Sequence, residues 1–260
     1  MELFAESGGK GLNTVAIDVY LSPANCDTPP DLAGLYELSV DAYYAAVHAE
    51  MSELPIKEEI SRYVEKVCKA GGIIAGGKSA NITAGSKAGS KADNSADNRA
   101  AAGRAAFDRG DTDVLTVLKT AGKVQHEIHR ITGFLRFSPG TDGVYTARCS
   151  PDYFILPALT EHFTLRFGET PWAIIDEKRK LCLCRKAGGR VMLTGAEEAG
   201  DALPSLTEEK ERKDFWEGLW RLYHRSVNIE NRKNPRLQRQ FMPERYQKYL
   251  PEMQKTSPSG

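Results

Sequence analysis

Trp172-Ala-Ile-Ile-Asp-Glu-Lys-Arg-Lys-Leu-Cys-Leu-Cys184 reads as two short strands joined by a charged turn. Residues 172–175 and 181–184 suit a pleated, buried surface, and 176–180 between them carry the turn. A second pairing lies upstream, where Phe134-Leu-Arg-Phe137 and Val144-Tyr-Thr-Ala147 flank Pro139-Gly-Thr-Asp-Gly143. Residues 191–193 add a further short strand. Hairpins of this kind predict a small antiparallel sheet with helices packed against it, an α+β fold with a helical C-terminus.

The helices have their own periodicity. Residues 32–51 place Leu35, Leu38, Ala42 and Ala46 on one face. Residues 55–69 do the same with Ile56, Ile60, Tyr63, Val64 and Val67, and 114–131 with Leu115, Leu118, Val124 and Ile128. Residues 156–167 form a helix that tolerates Pro157 in its first turn and stops at Gly168. A strand is expected at 15–21. Between 71 and 106 the chain is mostly Gly, Ala, Ser, Lys, Asn and Asp, which predicts a flexible low-complexity insert. Residues 1–70 are then expected to join 107–254 in one α+β domain.

The C-terminal quarter concentrates charge. From Trp216 to Leu250 eight basic residues face three acids, a local +5 in a chain of 260 residues with 35 basic and 35 acidic side chains. Ser205-Leu-Thr-Glu208 is a capping box for a helix whose Phe215, Leu219, Leu222, Trp216, Trp220, Tyr223 and Val227 form a wide apolar stripe, expected to be core. Asn234-Pro235 opens a second helix, and Pro243 opens a third with Tyr246, Tyr249 and Leu250 on one face. Clustered guanidinium groups suit phosphates, because their planar fork donates two parallel hydrogen bonds, and aromatic rings among them can stack on bases.

A balanced net charge excludes a histone-like polyanion coat. No apolar run has the length of a membrane span, and no secretory signal pattern is present; a cytoplasmic protein with five free cysteines is expected. Gly72-Ile-Ile-Ala-Gly-Gly-Lys78-Ser79 matches the phosphate-loop pattern, but a helical pattern precedes it and a faceless Gly/Ser/Lys tract follows. A chance match is the better reading. His126 and His129 stand at i, i+3 on a helix, and Cys182 and Cys184 share one strand face; a surface role and buried apolar packing suit them better than a metal site. Asp142, Asp176 and Glu177 sit at turns and are the carboxylates to weigh for catalysis. No metal or cofactor is expected.

Several blocks taken together resemble a known family. They are Gly133-Phe-Leu-Arg-Phe137, Asp142-Gly-Val-Tyr-Thr-Ala147, His162-Phe-Thr-Leu-Arg-Phe167, Trp172 through Arg179, and the run from Trp220 through Asn228-Ile-Glu-Asn-Arg-Lys-Asn234 to Met242-Pro-Glu-Arg-Tyr246. This order is similar to that of the uncharacterised bacterial "probable DNA metabolism protein" family, whose members are encoded beside a radical-SAM protein and are in some cases fused to a uracil-DNA glycosylase. The resemblance implies a DNA-repair context and such a partner, and it carries no catalytic residues. With the local charge, it points to a nucleic-acid-binding accessory protein whose basic groove is built from Arg136, Arg166, Arg179, Arg225, Arg232, Lys233, Asn234, Arg236, Gln238, Arg239 and Arg245. An enzyme acting on DNA or nucleotides and a pure interaction module are the alternatives.

Overall fold

Hairpin and helix signals of this strength define most of the backbone in a computed structural model of the chain, which describes residues 30–74, 78–79, 91–140, 143–202 and 210–253. The strand expected at 15–21, the capping box at 205–208 and Asp142 lie outside the described residues. The chain divides into two compact units, Met1–Ile128 with Asp152–Ala158 and His129–Pro151 with Leu159–Gly260.

The first unit is helical. The helix expected over 32–51 is two, α1 (Pro30–Leu38) and α2 (Val40–Met51), because Ser39 adopts an extended conformation and its Oγ accepts the Ala42 N–H at 3.2 Å. Helix α3 (Lys57–Ala70) buries Ile60, Tyr63, Val64, Val67 and Cys68. Beyond it Gly72, at φ 78°, turns the chain into β1 (Ile73–Ile74), which pairs antiparallel with β2 (Lys78–Ser79). A phosphate loop needs its Lys and Ser to open a helix; Lys78 and Ser79 lie in a strand instead.

Residues 91–106, expected within the low-complexity insert, form helix α4 (Lys91–Ala106) against α3. Alanine carries the lowest helical cost of any residue, and Ala102 and Ala106 are fully buried, so a close-packed small-residue face does what large side chains do elsewhere. Helix α5 (Thr112–Phe134) starts on Asp111, whose Oδ1 accepts the N–H groups of Asp113 and Val114. Lys66 reaches both Asp111 and Asp113, at 2.6 and 2.7 Å, and Arg62 forks onto Asp113 at 3.0 Å twice. Hydrogen bonds from Arg62 and then Lys66 hold the Asp113 carboxyl down at about 2.

The second unit carries the five-stranded sheet, in the order β3 (Ser138–Pro139), β4 (Tyr145–Cys149), β5 (Trp172–Asp176), β6 (Leu181–Arg185), β7 (Val191–Gly195). It is mixed rather than wholly antiparallel. Helix α6 (Leu156–Phe167) connects β4 to β5, which run parallel, and the other neighbours are antiparallel. Every residue of β5 is buried. On one face Trp172 packs against Phe163 and Phe167 of α6. On the other, Ala173, Ile175, Cys182 and Cys184 meet Ala199 of α7 (Ala196–Ala202). The strand expected at 134–137 is displaced: α5 continues through Phe134, and only Ser138 and Pro139 pair with Thr146 and Tyr145. The C-terminal region is α8 (Lys210–Val227), a 3-10 turn at Glu230–Arg232, α9 (Pro235–Phe241), α10 (Glu244–Gln247) and a 3-10 turn at Pro251–Met253. No helix among the described residues is long and apolar enough to cross a membrane.

Two stability effects follow. Leu183→Ala, in a fully buried site on β6, costs about 2–5 kcal/mol in a urea titration. Asp113→Asn lowers the melting temperature at pH 7. Because the folded carboxyl titrates below its ordinary 3.8, its stabilisation is complete above that value and disappears as pH falls toward 2. Wild type and variant therefore converge in acid, which melting curves across that range check.

Candidate nucleic-acid interface

Helix α8 exposes the face that its periodicity marks for burial. Phe215 is 66% exposed and Leu222 65%, and Leu219, Tyr223 and Val227 are also exposed, so the stripe expected as core faces solvent. Periodicity identifies the apolar face of a helix and says nothing of whether anything covers it. Ile229 in the following turn, and Leu237 and Phe241 on α9, are exposed as well. The expected third helix is the single turn α10, and Tyr249 and Leu250 lie beyond its end; Tyr246 and Leu250 are buried, Tyr249 is half-buried, and Tyr246 packs on Phe134 at 5.6 Å.

The basic residues divide into two groups. Arg225, Arg232 and Arg236 are exposed and make no ion pair among the described residues, as does Arg166 on α6. Lys233 pairs loosely with Glu230 at 3.5 Å, both well exposed. Asn234 caps α9, its Oδ1 accepting the Leu237 N–H at 3.0 Å, and Gln238 donates to Met253 Sδ. The Arg239 side chain lies outside the described residues. The others serve the fold. Arg179 pairs with the buried Asp176 at 3.0 Å and donates to the Pro151 carbonyl. Arg245 lies over the Tyr246 ring and donates to its hydroxyl. Arg136 is paired with Glu252, so the single basic groove expected from all of these residues is not what their side chains build.

Where Arg136 sits there is nonetheless a groove. It forms beside β4, because β3 pairs with only two residues of that strand. One lobe, of about 260 Å³, is lined by Arg136, Ser138, Thr146, Ala147, Arg148, Glu177, Glu217, Lys248, Tyr249 and Pro251. An adjoining lobe of about 250 Å³ shares Arg136, Ser138, Glu217 and Pro251 and adds Phe137, Pro139, Tyr145 and Trp220.

Glu252 organises its wall. One carboxylate oxygen accepts from Arg136 Nη2 at 2.7 Å and the other from Trp220 Nε1 at 2.8 Å, and the Arg136 guanidinium lies 5.1 Å from the Trp220 ring centroid. Burial pushes the Glu252 carboxyl up. Its own backbone N–H, Arg136 and Trp220 outweigh that and hold it below its ordinary 4.5. The Arg136 Nε–H is buried without a hydrogen-bond partner among the described residues. Across the groove the Tyr249 hydroxyl donates to Glu177 at 2.6 Å; burial, then this bond, raises its pKa. Lys248 approaches the same carboxylate at 3.4 Å.

Arg136 and Glu177 are among the residues expected from sequence, Lys248 and Tyr249 enter there only as members of the basic, aromatic C-terminal stretch, and Arg148 and Glu252 carry no signal in it. Tyr145 and Trp220 stand in the sequence blocks that resemble the known family. The remaining candidates have structural tasks. Asp176 is fully buried and accepts the Lys178 and Arg179 N–H groups, closing the β5–β6 hairpin. His126 and His129 are exposed on α5, and no cluster of three or more metal-ligating side chains occurs among the described residues. Cys182 and Cys184 are buried on one face of β6, as their alternation suggested, with the Cys182 thiol pushed up by its bond with Cys184 and by burial.

Removing the clamp is measurable. Glu252→Ala costs about 1–3 kcal/mol in a denaturant titration, since it leaves two donors, one of them charged, without an acceptor. The depressed carboxyl stabilises fully above 4.5 and loses that contribution as pH falls through its folded value. The gap between wild type and variant is therefore widest near neutrality and closes in acid.

Comparison with curated proteins and with solved structures gives no match. One family model does match, over residues 98–252, more than half of the chain and a span that includes every residue of the groove. By that match the chain belongs to the family described as the domain of unknown function DUF4130.

Proposed function

We propose that the protein is a nucleic-acid-binding accessory factor of DNA metabolism, with a partner enzyme performing the chemistry. The observation that carries the reading is the C-terminal arm, where Arg225, Arg232 and Arg236 stand exposed without ion pairs among the described residues, and where Tyr223 and Phe241 are exposed as well. Unpaired guanidiniums lose no internal partner on meeting phosphates, and exposed aromatic rings offer surfaces for bases. The DNA context and a radical-SAM partner, with a uracil-DNA glycosylase in fused relatives, come from the family resemblance of the sequence blocks.

A second reading, a docking module for a protein partner, is favoured by the aliphatic share of the exposed face. Leu219, Leu222 and Val227 offer phosphates nothing, and contiguous apolar surface commonly marks protein contacts. Co-purification with a partner that survives nuclease treatment supports it.

Fluorescence anisotropy with single- and double-stranded DNA across a salt series tests the first reading. Affinity falls linearly on a logarithmic salt scale, and the Arg225→Gln/Arg232→Gln/Arg236→Gln variant shows a slope shallower by about 3, one for each phosphate contact removed. Absence of binding at micromolar protein and low salt overturns it.

A further inference from the structure

We propose that the two-lobed groove beside β4 holds a single nucleotide unit, its base in the aromatic lobe and its phosphate in the cationic lobe. The proposal rests on the nucleic-acid reading and narrows it to one nucleotide, either of a strand or free as a monophosphate.

The lobes differ in chemistry as the halves of a nucleotide do. Phe137, Tyr145 and Trp220 with Pro139 give one lobe flat apolar walls suited to the face of a base. Arg148 and Lys248, with the hydroxyl of Ser138, give the other the donors that phosphate oxygens accept. Arg136 borders both, and its Nε–H is buried without a partner among the described residues. Each lobe alone falls short of roughly 300 Å³, the lower end for small-molecule sites, and the two together pass it.

Charge selects among phosphorylated ligands. Three cations (Arg136, Arg148, Lys248) and two carboxylates (Glu177, Glu217) line the groove. Glu252 pairs with Arg136, Arg221 with Glu217 and Lys248 with Glu177, and the lining by itself counts one positive charge in excess. That matches the single charge of a phosphodiester, falls about one charge short of a monophosphate and disfavours a triphosphate more strongly. The base lobe is also preorganised. Glu252 fixes the Trp220 indole by its N–H, so a stacking surface is held before any ligand arrives.

The test uses the full chain titrated calorimetrically with dCMP, dAMP, dATP, deoxycytidine, inorganic phosphate and a short 5′-phosphorylated single strand. The monophosphates bind, and the nucleoside, phosphate alone and dATP each bind about tenfold more weakly or less. Trp220→Ala weakens monophosphate binding by roughly five- to a hundredfold, while Trp220→Phe, which keeps an aromatic face, retains most of it. Arg148→Gln removes the preference for monophosphate over nucleoside, and Arg232→Gln/Arg236→Gln on the arm leaves monophosphate affinity unchanged. A monophosphate that binds no better than its parts, or a folded Trp220→Ala protein with unaltered affinity, overturns the proposal. Strand binding without monophosphate binding or any Trp220 effect defeats the groove and leaves the arm's role standing. Monophosphate binding without strand binding supports the groove as a site for free nucleotides and defeats the arm reading.

Discussion

A carboxylate that is nearly out of solvent must be matched atom for atom, and Glu252 meets that demand with both of its oxygens. Its partners, Arg136 and Trp220, lie 116 and 32 residues away in sequence. One side chain thus joins the segment after α5, helix α8 and the final 3-10 turn. The stack of Arg136 on Trp220 follows, because the two donors reach opposite oxygens of one small planar group. Arg221 reinforces the same junction by donating to the Pro251 carbonyl and pairing with Glu217. The groove exists because these three pieces of chain are held around the end of β4, and the stationary part of its wall is this clamp.

The sheet sets where the groove can form. Strand β5 is buried at every position, so both of its faces require cover, which α6 and α7 provide. That fixes the middle of the sheet and leaves variation to its edges. At the β4 edge the partner strand is two residues long, and the groove lies beside Ala147 and Arg148, beyond the reach of that pairing. Had residues 134–137 formed the strand their sequence suggests, they would have run along β4 and filled the space. The continuation of α5 through Phe134 keeps them off that edge, and Phe134 finds its cover in Tyr246 instead.

Much of this was legible in residue pattern, and the losses have definite causes. The hairpin at 172–184 was readable because turn chemistry and apolar runs coincide there. The end of α5 was not, because Gly133 and the aromatic residues after it are compatible with a stop that the helix does not make. Helix α4 escaped notice since alanine contributes little to an apolar periodicity yet suffices when two helices approach closely. The face of α8 was placed correctly and its surroundings were not, since cover is a property of other segments. Arg148 and Glu252 could not be picked out, because isolated charged residues acquire a shared location only through folding. Arg136 and Glu177 were found through their neighbours in sequence rather than through each other.

The division between paired and unpaired guanidiniums gives the two surfaces different physical jobs. Attraction between exposed charges acts over the Debye length, about 8 Å at physiological salt, and needs no fixed geometry. Arg225, Arg232 and Arg236 can therefore draw a polyanion from an arm whose side chains stay free, although immobilising each costs roughly 1.5–2 kcal/mol of rotamer entropy. Stacking acts only at contact and rewards a ring already in position. A tryptophan held by a buried carboxylate has surrendered its freedom during folding, so little remains to be lost when a base arrives. On the proposed reading, capture by exposed charges and retention by a fixed aromatic wall call for opposite degrees of order, and the residues for both belong to unit 129–151 with 159–260.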